Sequence, residues 1–172
     1  PAWRQVATWQ DALWPELEEA QRANESARHR VVGLVIETRP DRIDVESLAV
    51  IRRLGCTKIQ MGVQTLDPAL LARNRRRTAP EQVARAFALC RLFGFKIHAH
   101  FMANLLGATP AGDKRDYARL VVDPSFLPDE VKLYPCALVA GTGLVAEYDS
   151  GCWRPYTEDE LLDVLVADVL AT

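Results

Sequence analysis

Four apolar runs that end in polar residues recur along the chain, and each is followed by a segment with helical periodicity. The runs cover residues 31–37, 58–63, 96–102 and 131–134. Short apolar runs of this kind are typical of strands that are buried on both faces. Their alternation with helices predicts right-handed βαβ crossovers and therefore an α/β fold with a parallel sheet.

Helices are predicted between the runs. They cover residues 9–27, 44–54, 79–92, 113–122 and 157–171, and Asp67 starts a further short helical turn. Gly55 and Gly94 end two of these helices, since glycine is common directly after a helix. The TEDE sequence from Thr157 has the spacing of a capping box and starts the last one.

Polar side chains follow the first two runs at the points where these end. VVGLVIETRPD, at residues 31–41, carries Glu37 and Arg39, and KIQMGVQ, at residues 58–64, ends in Gln64. In parallel sheets and barrels the binding groups lie at the carboxyl ends of the strands. We therefore expect a small polar pocket above an apolar core, and we look for function there.

The length and the charge of the chain limit how many cores it can form and which surfaces it can present. The chain has 172 residues and is 49% hydrophobic, which suits one sizeable core. Its net charge of −2 hides a basic segment, residues 51–100, and an acidic one, residues 101–172. The basic segment is either a phosphate-binding face or one of two oppositely charged helical surfaces that meet. Charge alone favours the second interpretation.

Several classes of protein are disfavoured. The chain has no leader-like segment and no apolar run near the roughly 20 residues that a membrane span needs, which predicts a soluble, cytoplasmic protein. Its cysteines form no CxxC or CxxxCxxC group, so we expect reduced thiols and no cluster loop within these residues. His98 and His100 share a strand face, but no third ligand is evident, and we predict no metal site.

Blocks of sequence in a fixed order now point to a family. They are IETRPD, GVQ, NRRRT, HAHFMANLLGATP, LYP and GTGL, within about residues 17–170. In this order they resemble the radical S-adenosylmethionine (SAM) core of the elongator catalytic subunit family. The resemblance implies a partial (β/α) barrel of the radical SAM type, with parallel strands and outer helices.

The resemblance also implies an activity. Members of the elongator catalytic subunit family form 5-carboxymethyluridine at the wobble position of tRNA. They are transferases that use a 4Fe–4S cluster, SAM and acetyl-CoA. The family's cysteine-rich loop and acetyltransferase domain are not found in this sequence. We therefore expect residues 1–172 to be part of one radical SAM domain of a longer protein and inactive alone. The implied partners are tRNA, acetyl-CoA and either further copies of the chain or an elongator-like complex.

Site residues follow from the resemblance, residue by residue. Cofactor binding is implied for Glu37, Gln64, Arg75, Arg76 and His100, nucleic-acid binding for Arg73 and Arg77, and a catalytic role for Lys132 and Tyr134. The register of the arginine run is open by about one residue, because Arg77 directly precedes Thr78 where a glycine and a histidine are common. Each residue also has a structural alternative. Glu37 would form a salt bridge to Arg39, and Gln64 would tie neighbouring strand ends. The arginines would form a solvated helix start, and Lys132 and Tyr134 would pack at the end of their strand.

Two other functions remain open. One is a radical SAM enzyme that acts on a small molecule, since coproporphyrinogen dehydrogenases resemble this core through a similar GVQ strand. The other is a non-catalytic scaffold that binds RNA or assembles a complex. Retention of Glu37, Gln64 and Lys132 favours an enzyme over the scaffold.

Overall fold

A computed structural model of the chain describes residues 13–172. Its strands are β1 (Val35–Thr38), β2 (Lys58–Gln64), β3 (Lys96–Ala103) and β4 (Glu130–Pro135). Its α-helices are α1 (Trp14–Glu25), α2 (Val45–Arg53), α3 (Pro68–Arg73), α4 (Pro80–Leu92), α5 (Pro110–Val122), α6 (Leu144–Asp149) and α7 (Glu158–Leu170). Strands and helices therefore alternate as predicted, while positions 9–12 of the first predicted helix lie outside the described residues.

The four strands form one sheet in the order β1-β2-β3-β4, and every neighbouring pair is parallel. Consecutive strands are thus neighbours in space, as expected for repeated βα units. The predicted α/β fold with a parallel sheet is confirmed. Four strands of this kind form part of a barrel, with the helices outside.

Side-chain hydrogen bonds start several of the helices. Asp44 Oδ1 accepts from Ser47 N at 2.7 Å before α2, and Asp67 Oδ1 accepts from Ala69 N at 2.7 Å before α3. The capping box predicted before α7 is present, because the Thr157 hydroxyl and the Glu160 carboxylate each accept from the other's backbone N–H. Such caps satisfy amides that have no partner within the helix.

Alternate side chains of the inner strands form the core. On β2 and β3 the fully buried members of this set are Ile59, Met61, Val63, Ile97, Ala99 and Phe101. They pack in one cluster with Leu48 of α2, Phe87 of α4 and Leu120 of α5. Since successive side chains of a strand point to opposite faces, the residues between them lie on the other face of the sheet.

The first predicted strand needs correction. A buried strand was expected over 31–37, but the strand begins at Val35, and Val31 and Val32 have 71% and 83% of their surface exposed. The side chain of Asn24, in α1, bonds to both the N–H and the carbonyl of Val31. This pairing holds the segment along the helix, so only the last part of the apolar run reaches β2.

Two short elements were not predicted. A 3-10 turn at Pro40–Arg42 follows β1, and α6 follows the GTGL sequence. Both are too short to produce a periodic hydrophobic pattern. They nevertheless shape the loops at the carboxyl edge of the sheet.

Two outer helices carry carboxylates that are shielded from solvent, one on α5 and one on α7. Asp116 Oδ2 accepts from the Thr65 hydroxyl and the Leu66 amide at 2.5 and 2.8 Å, and so ties α5 to the segment after β2. Asp168 of α7 is only 1% exposed, and neither of its carboxylate oxygens has a hydrogen-bond partner among the described residues. Burial, and then the charge of Asp113, raises the pKa of Asp168 to about 7.

We expect Asp168→Asn to stabilise the protein at pH 8. The ordinary pKa of this group is 3.8, so the folded form holds a proton that the unfolded form has lost between about pH 4 and 7. The associated stability is complete below pH 4 and is lost as the pH rises through 7. Removing the buried charge should raise the free energy of unfolding at pH 8 by on the order of 2 kcal/mol, with a smaller gain at pH 5, where only part of the stability has been lost.

Denaturant unfolding at both pH values measures this effect. Asp159→Asn, at an exposed position of the same helix, is the matched control and should show no such pH dependence. Equal destabilisation of the Asp168→Asn variant at pH 5 and pH 8 would show that this carboxyl is ionised in the folded protein.

Candidate functional site

The polar face of the sheet is arranged in rows that run across the strands. Glu37 pairs with Gln60, Gln60 with His98, and His98 with Glu130, so one row contains all four side chains. The next row towards the carboxyl ends contains His100 and Lys132, and Tyr134 lies one row further. The strands thus bring together residues that are about a hundred positions apart in the sequence.

An ion pair closes the amino end of this face. Lys58 Nζ lies 2.8 and 2.9 Å from the two carboxylate oxygens of Glu130, and so connects β2 to β4 across β3. His98 lies beneath this bridge, with Nδ1 3.4 Å from a Glu130 oxygen and 3.4 Å from Gln60 Nε2. These partners occupy His98, which leaves the middle and carboxyl end of the face for ligands.

His100 is the buried histidine at the centre of the face. It is 4% exposed, and its Nε2 atom has no hydrogen-bond partner within residues 13–172. Its Nδ1 atom is 3.7 Å from Glu37 Oε1. Desolvation lowers the pKa of His100, against the opposing effect of the Glu37 charge. The ring is therefore neutral at neutral pH, and its buried Nε2 has no protein partner within the described residues.

Gln64 and Tyr134 meet at the carboxyl edge. A bulge in β2 and a positive φ of 71° turn the Gln64 side chain towards β4, where its Oε1 accepts from the Tyr134 hydroxyl at 3.2 Å. Bulges are a common device for re-aiming a side chain beside an active site. The alternative role of Gln64, tying neighbouring strand ends, is thus present in the structure, and its amide nitrogen is still a donor.

Gly62 leaves room for two of these groups. Arg76 Nη2 donates to the Gly62 carbonyl at 2.5 Å. A Cβ at position 62 would lie 3.3 Å from Gln64 Nε2 and 3.4 Å from Arg76 Nη2. The absence of a side chain therefore lets an amide and a guanidinium approach the same point of the sheet.

Two cavities lie at this edge. The first, which we call the arginine cavity, has a volume of about 330 Å³ and is lined by Arg39, Asp41, Arg42, Arg75, Arg76, Arg77 and Thr78. The second, of about 400 Å³, is lined by Arg73, Asn74, Arg75, Leu106, Cys136, Ala137, Thr142, Gly143, Leu144 and Glu147. Arg75, at a positive φ of 56°, lies between them.

The structure brings most of the predicted site residues to one place. Glu37, His100, Lys132 and Tyr134 lie on the polar face, and Gln64 lies at its edge. Arg76, Arg75 and Arg77 border the edge in the arginine cavity, whereas Arg73 lies in the second cavity. Their roles in binding and catalysis stay predictions.

The predicted grouping of Arg39 with Glu37 and Gln64 is wrong. Arg39 forms two hydrogen bonds to Asp41 and lines the arginine cavity. The proposed alternative for Glu37, a salt bridge to Arg39, is therefore also absent. The Glu37 side chain is 63% exposed, and its Oε1 lies 3.7 Å from Nδ1 of His100. An arginine two residues beyond the carboxylate lies past the end of β1, where the chain turns away.

Sequence reasoning missed Gly62 and Gln60. A glycine inside a strand signals a close approach of backbone or ligand, and GVQ carries that signal. Gln60 had no such signal, because its place in the row depends on the register between strands.

No group of three or more histidine, cysteine or acidic side chains that could hold a metal is found within residues 13–172. Cys56 and Cys90 are buried in the core, Cys136 is half-buried and Cys152 is exposed.

The described helices include none that is long and apolar enough to cross a membrane.

A partial α/β barrel whose inner face is the polar face described above is the class of protein that this fold defines. The chain belongs to the radical SAM superfamily, which it matches over residues 8–115. This family is named for chemistry with SAM, which implies SAM and an iron–sulfur cluster as cofactors.

Two named proteins are similar to this chain over most of its length. The chain is 36% identical over 149 residues to the tRNA uridine(34) acetyltransferase of Methanocaldococcus infernus, a match of 87% of this chain and 28% of that protein. It is 34% identical over 153 residues to Elongator complex protein 3 of Danio rerio, covering 89% of this chain and 28% of the relative. The chain thus spans less than a third of the length of these relatives.

Solved structures agree with the fold. The archaeal Methanocaldococcus infernus Elp3 with an N-terminal deletion superposes with a TM-score of 0.83 at 35% identity, over 88% of this chain and 35% of that one. Coproporphyrinogen III oxidase (HemN) from Escherichia coli, a radical SAM enzyme, has a TM-score of 0.66 at 16% identity, over 94% and 37%. The second likeness concerns the fold alone.

We expect Gly62→Ala to disturb the site without unfolding the sheet. The new methyl group would push the Gln64 amide by a few tenths of an ångström, because Nε2 would lie only 3.3 Å away, and it would stand at the limit of ordinary contact, 3.4 Å, with the Arg76 guanidinium. SAM affinity, measured by calorimetry, should fall while the melting temperature changes little.

Gly33→Ala is the matched control, since its nearest neighbour, Thr57 Oγ1, would lie at an ordinary 3.6 Å. Unchanged SAM affinity in the Gly62→Ala variant would place the cofactor elsewhere.

Proposed function

We propose that the chain is the radical SAM core of an enzyme that converts the wobble uridine of tRNA to 5-carboxymethyluridine. The observation that carries this proposal is the polar inner face, built from Glu37, His100, Lys132 and Gln64, in a chain related along most of its length to a tRNA uridine(34) acetyltransferase. The reaction class is a transferase with acetyl-CoA as co-substrate.

The inner face fits SAM in its donor set. The free Nε2 of His100 and the amide of Gln64 suit ribose hydroxyls, and the Glu37 carboxylate suits the methionyl amine or a hydroxyl. Arg75 or Arg76 would hold the methionyl carboxylate, since a guanidinium pairs with a carboxylate bidentately. Gly62 keeps this corner open.

The cluster ligands do not fit the described residues, in which the cysteines are dispersed. We propose that residues 1–172 are part of one radical SAM domain and that the cluster loop and an acetyltransferase domain belong to other parts of a longer protein. The small share of each relative that the chain covers supports this. When bound, the cluster and SAM would supply the radical chemistry of this reaction, with SAM held by the residues of the inner face.

Lys132 and Tyr134 would act on the substrate. Lys132 is exposed on the inner face beside His100, where its cation can pair with a carbonyl oxygen or an anion. The Tyr134 hydroxyl already donates to Gln64, so it is held at the edge of the cofactor site. Arg73 and Arg77, which line the two cavities, would contact tRNA phosphates.

The remaining predictions concern the setting of the enzyme. The name of the Danio rerio relative supports an elongator-like complex, and further copies of the chain are the other assembly that the sequence suggested. A cytoplasmic location stays a prediction. The small-molecule alternative is supported only by the fold likeness to the coproporphyrinogen enzyme.

The full-length protein, supplied with SAM, a reductant, acetyl-CoA and tRNA, tests the proposed function. We expect 5-carboxymethyluridine in the digested tRNA, together with 5′-deoxyadenosine. Deoxyadenosine without modified uridine would favour the small-molecule enzyme. Neither product, with RNA still bound, would favour the scaffold.

We expect Gln64→Ala to weaken SAM binding about tenfold, the cost of one well-placed hydrogen bond. Gln60→Ala is the matched control: it removes the same side chain from the same strand face, but at the occupied amino end beside His98. Isothermal titration calorimetry of SAM binding to the two variants shows whether SAM lies at the carboxyl edge of the polar face or at its amino end. Equal losses, or none, would remove Gln64 from the cofactor site.

A further inference from the structure

The arginine cavity contains more positive charge than the chain itself compensates. Two segments build it, one directly after β1 and one between α3 and α4, and together they contribute five guanidinium groups and one carboxylate. That carboxylate, Asp41, already accepts from Arg39 at 2.9 and 2.5 Å. The site is therefore strongly cationic at the carboxyl edge of the sheet.

The other arginines lack acidic partners. Within residues 13–172 no ion pair involves Arg42, Arg75 or Arg77, and Arg76 donates only to a backbone carbonyl. Burial and the nearby charge of Arg39 lower the pKa of Arg76. Like charges held together in this way are unfavourable unless an anion joins them.

A buried hydroxyl also lies in this cavity. Thr78 Oγ1 is shielded from solvent and has no hydrogen-bond partner in the described part of the chain. A hydroxyl beside several guanidinium groups provides donors in more than one direction. A phosphate group has more acceptor oxygens than a carboxylate and can therefore accept from more of these donors at once.

We propose that the arginine cavity binds a phosphate group of the RNA backbone, next to the nucleotide that lies on the inner face. The proposal rests on the proposed function for its RNA. Arg42, Arg77 and Thr78 are the phosphate ligands, and Arg76 connects the cavity to the inner face through Gly62.

Exposure favours a backbone phosphate over a small enclosed anion. The Arg39 side chain is 53% exposed, and Arg75 and Arg77 are also exposed, so the cavity opens to solvent on one side. On its inner side Arg76 donates to the Gly62 carbonyl, next to Gln64. A strand of RNA can therefore enter from solvent, leave one phosphate in the cavity and direct the adjoining base onto the inner face.

Binding of an anticodon stem-loop RNA to the full-length protein tests the site. Arg42→Gln should weaken binding about tenfold and reduce the slope of log K against log salt by about one, because one phosphate contact is lost. Thr78→Val should weaken binding without changing that slope. Arg115→Gln, an exposed arginine of α5, is the matched control and should change neither quantity. Equal effects of Arg42→Gln and Arg115→Gln would overturn the proposal.

Substitution of the RNA locates the phosphate. Replacing single phosphodiesters near the target uridine with uncharged methylphosphonates should weaken binding to the unaltered protein at one linkage. That linkage should cause no further loss in the Arg42→Gln variant. Independent, additive losses at every linkage would mean that Arg42 contacts no particular phosphate.

Inorganic phosphate, titrated alone, separates this proposal from the function on which it rests. If phosphate binds in an Arg42-dependent way and RNA does not bind, the oxyanion site stands, while the RNA source and the tRNA function both fail. If Arg42→Gln leaves RNA affinity and uridine modification unchanged, the phosphate site fails and the function stands.

Discussion

In-register pairing of the parallel strands is the constraint on which the rest of the structure depends. Because side chains alternate along each strand, burying Ile59, Met61 and their neighbours against the outer helices commits the intervening residues to the inner face. Register then places His98 and His100 of β3 opposite Glu130 and Lys132 of β4. A shift of one residue would exchange the apolar core for the polar site, so core and site are specified together.

Departures from regular structure at the carboxyl edge then set the details of the site. The bulge in β2 and the positive φ of Gln64 turn its amide towards Tyr134, and Gly62 leaves space beside it for Arg76. Local strain of this kind persists where the surrounding structure determines it, and it is common at functional sites. The same edge supports both the proposed cofactor site and the arginine cavity, with Arg76 between them.

Periodicity predicted the alternating strands and helices, because these follow from local pattern. It failed where side-chain hydrogen bonds on either side of β1 decide the outcome. Asn24 holds Val31 along α1 and shortens the first strand, and Asp41 turns Arg39 away from Glu37. Hydrophobic periodicity carries no information on either of these hydrogen bonds. The site residues themselves came from ordered motifs, whereas their rows depend on register.

The central claim is that the inner face of the sheet, and not its helical side, holds the cofactor. Photo-crosslinking of the full-length protein with a photoactivatable SAM analogue, followed by mass spectrometry of the peptides, measures this directly. We expect labels within residues 60–64, 98–102 and 132–134, and we expect all of them to be lost when excess SAM is present. Competed labels confined to α2, α4 or α5 would contradict it.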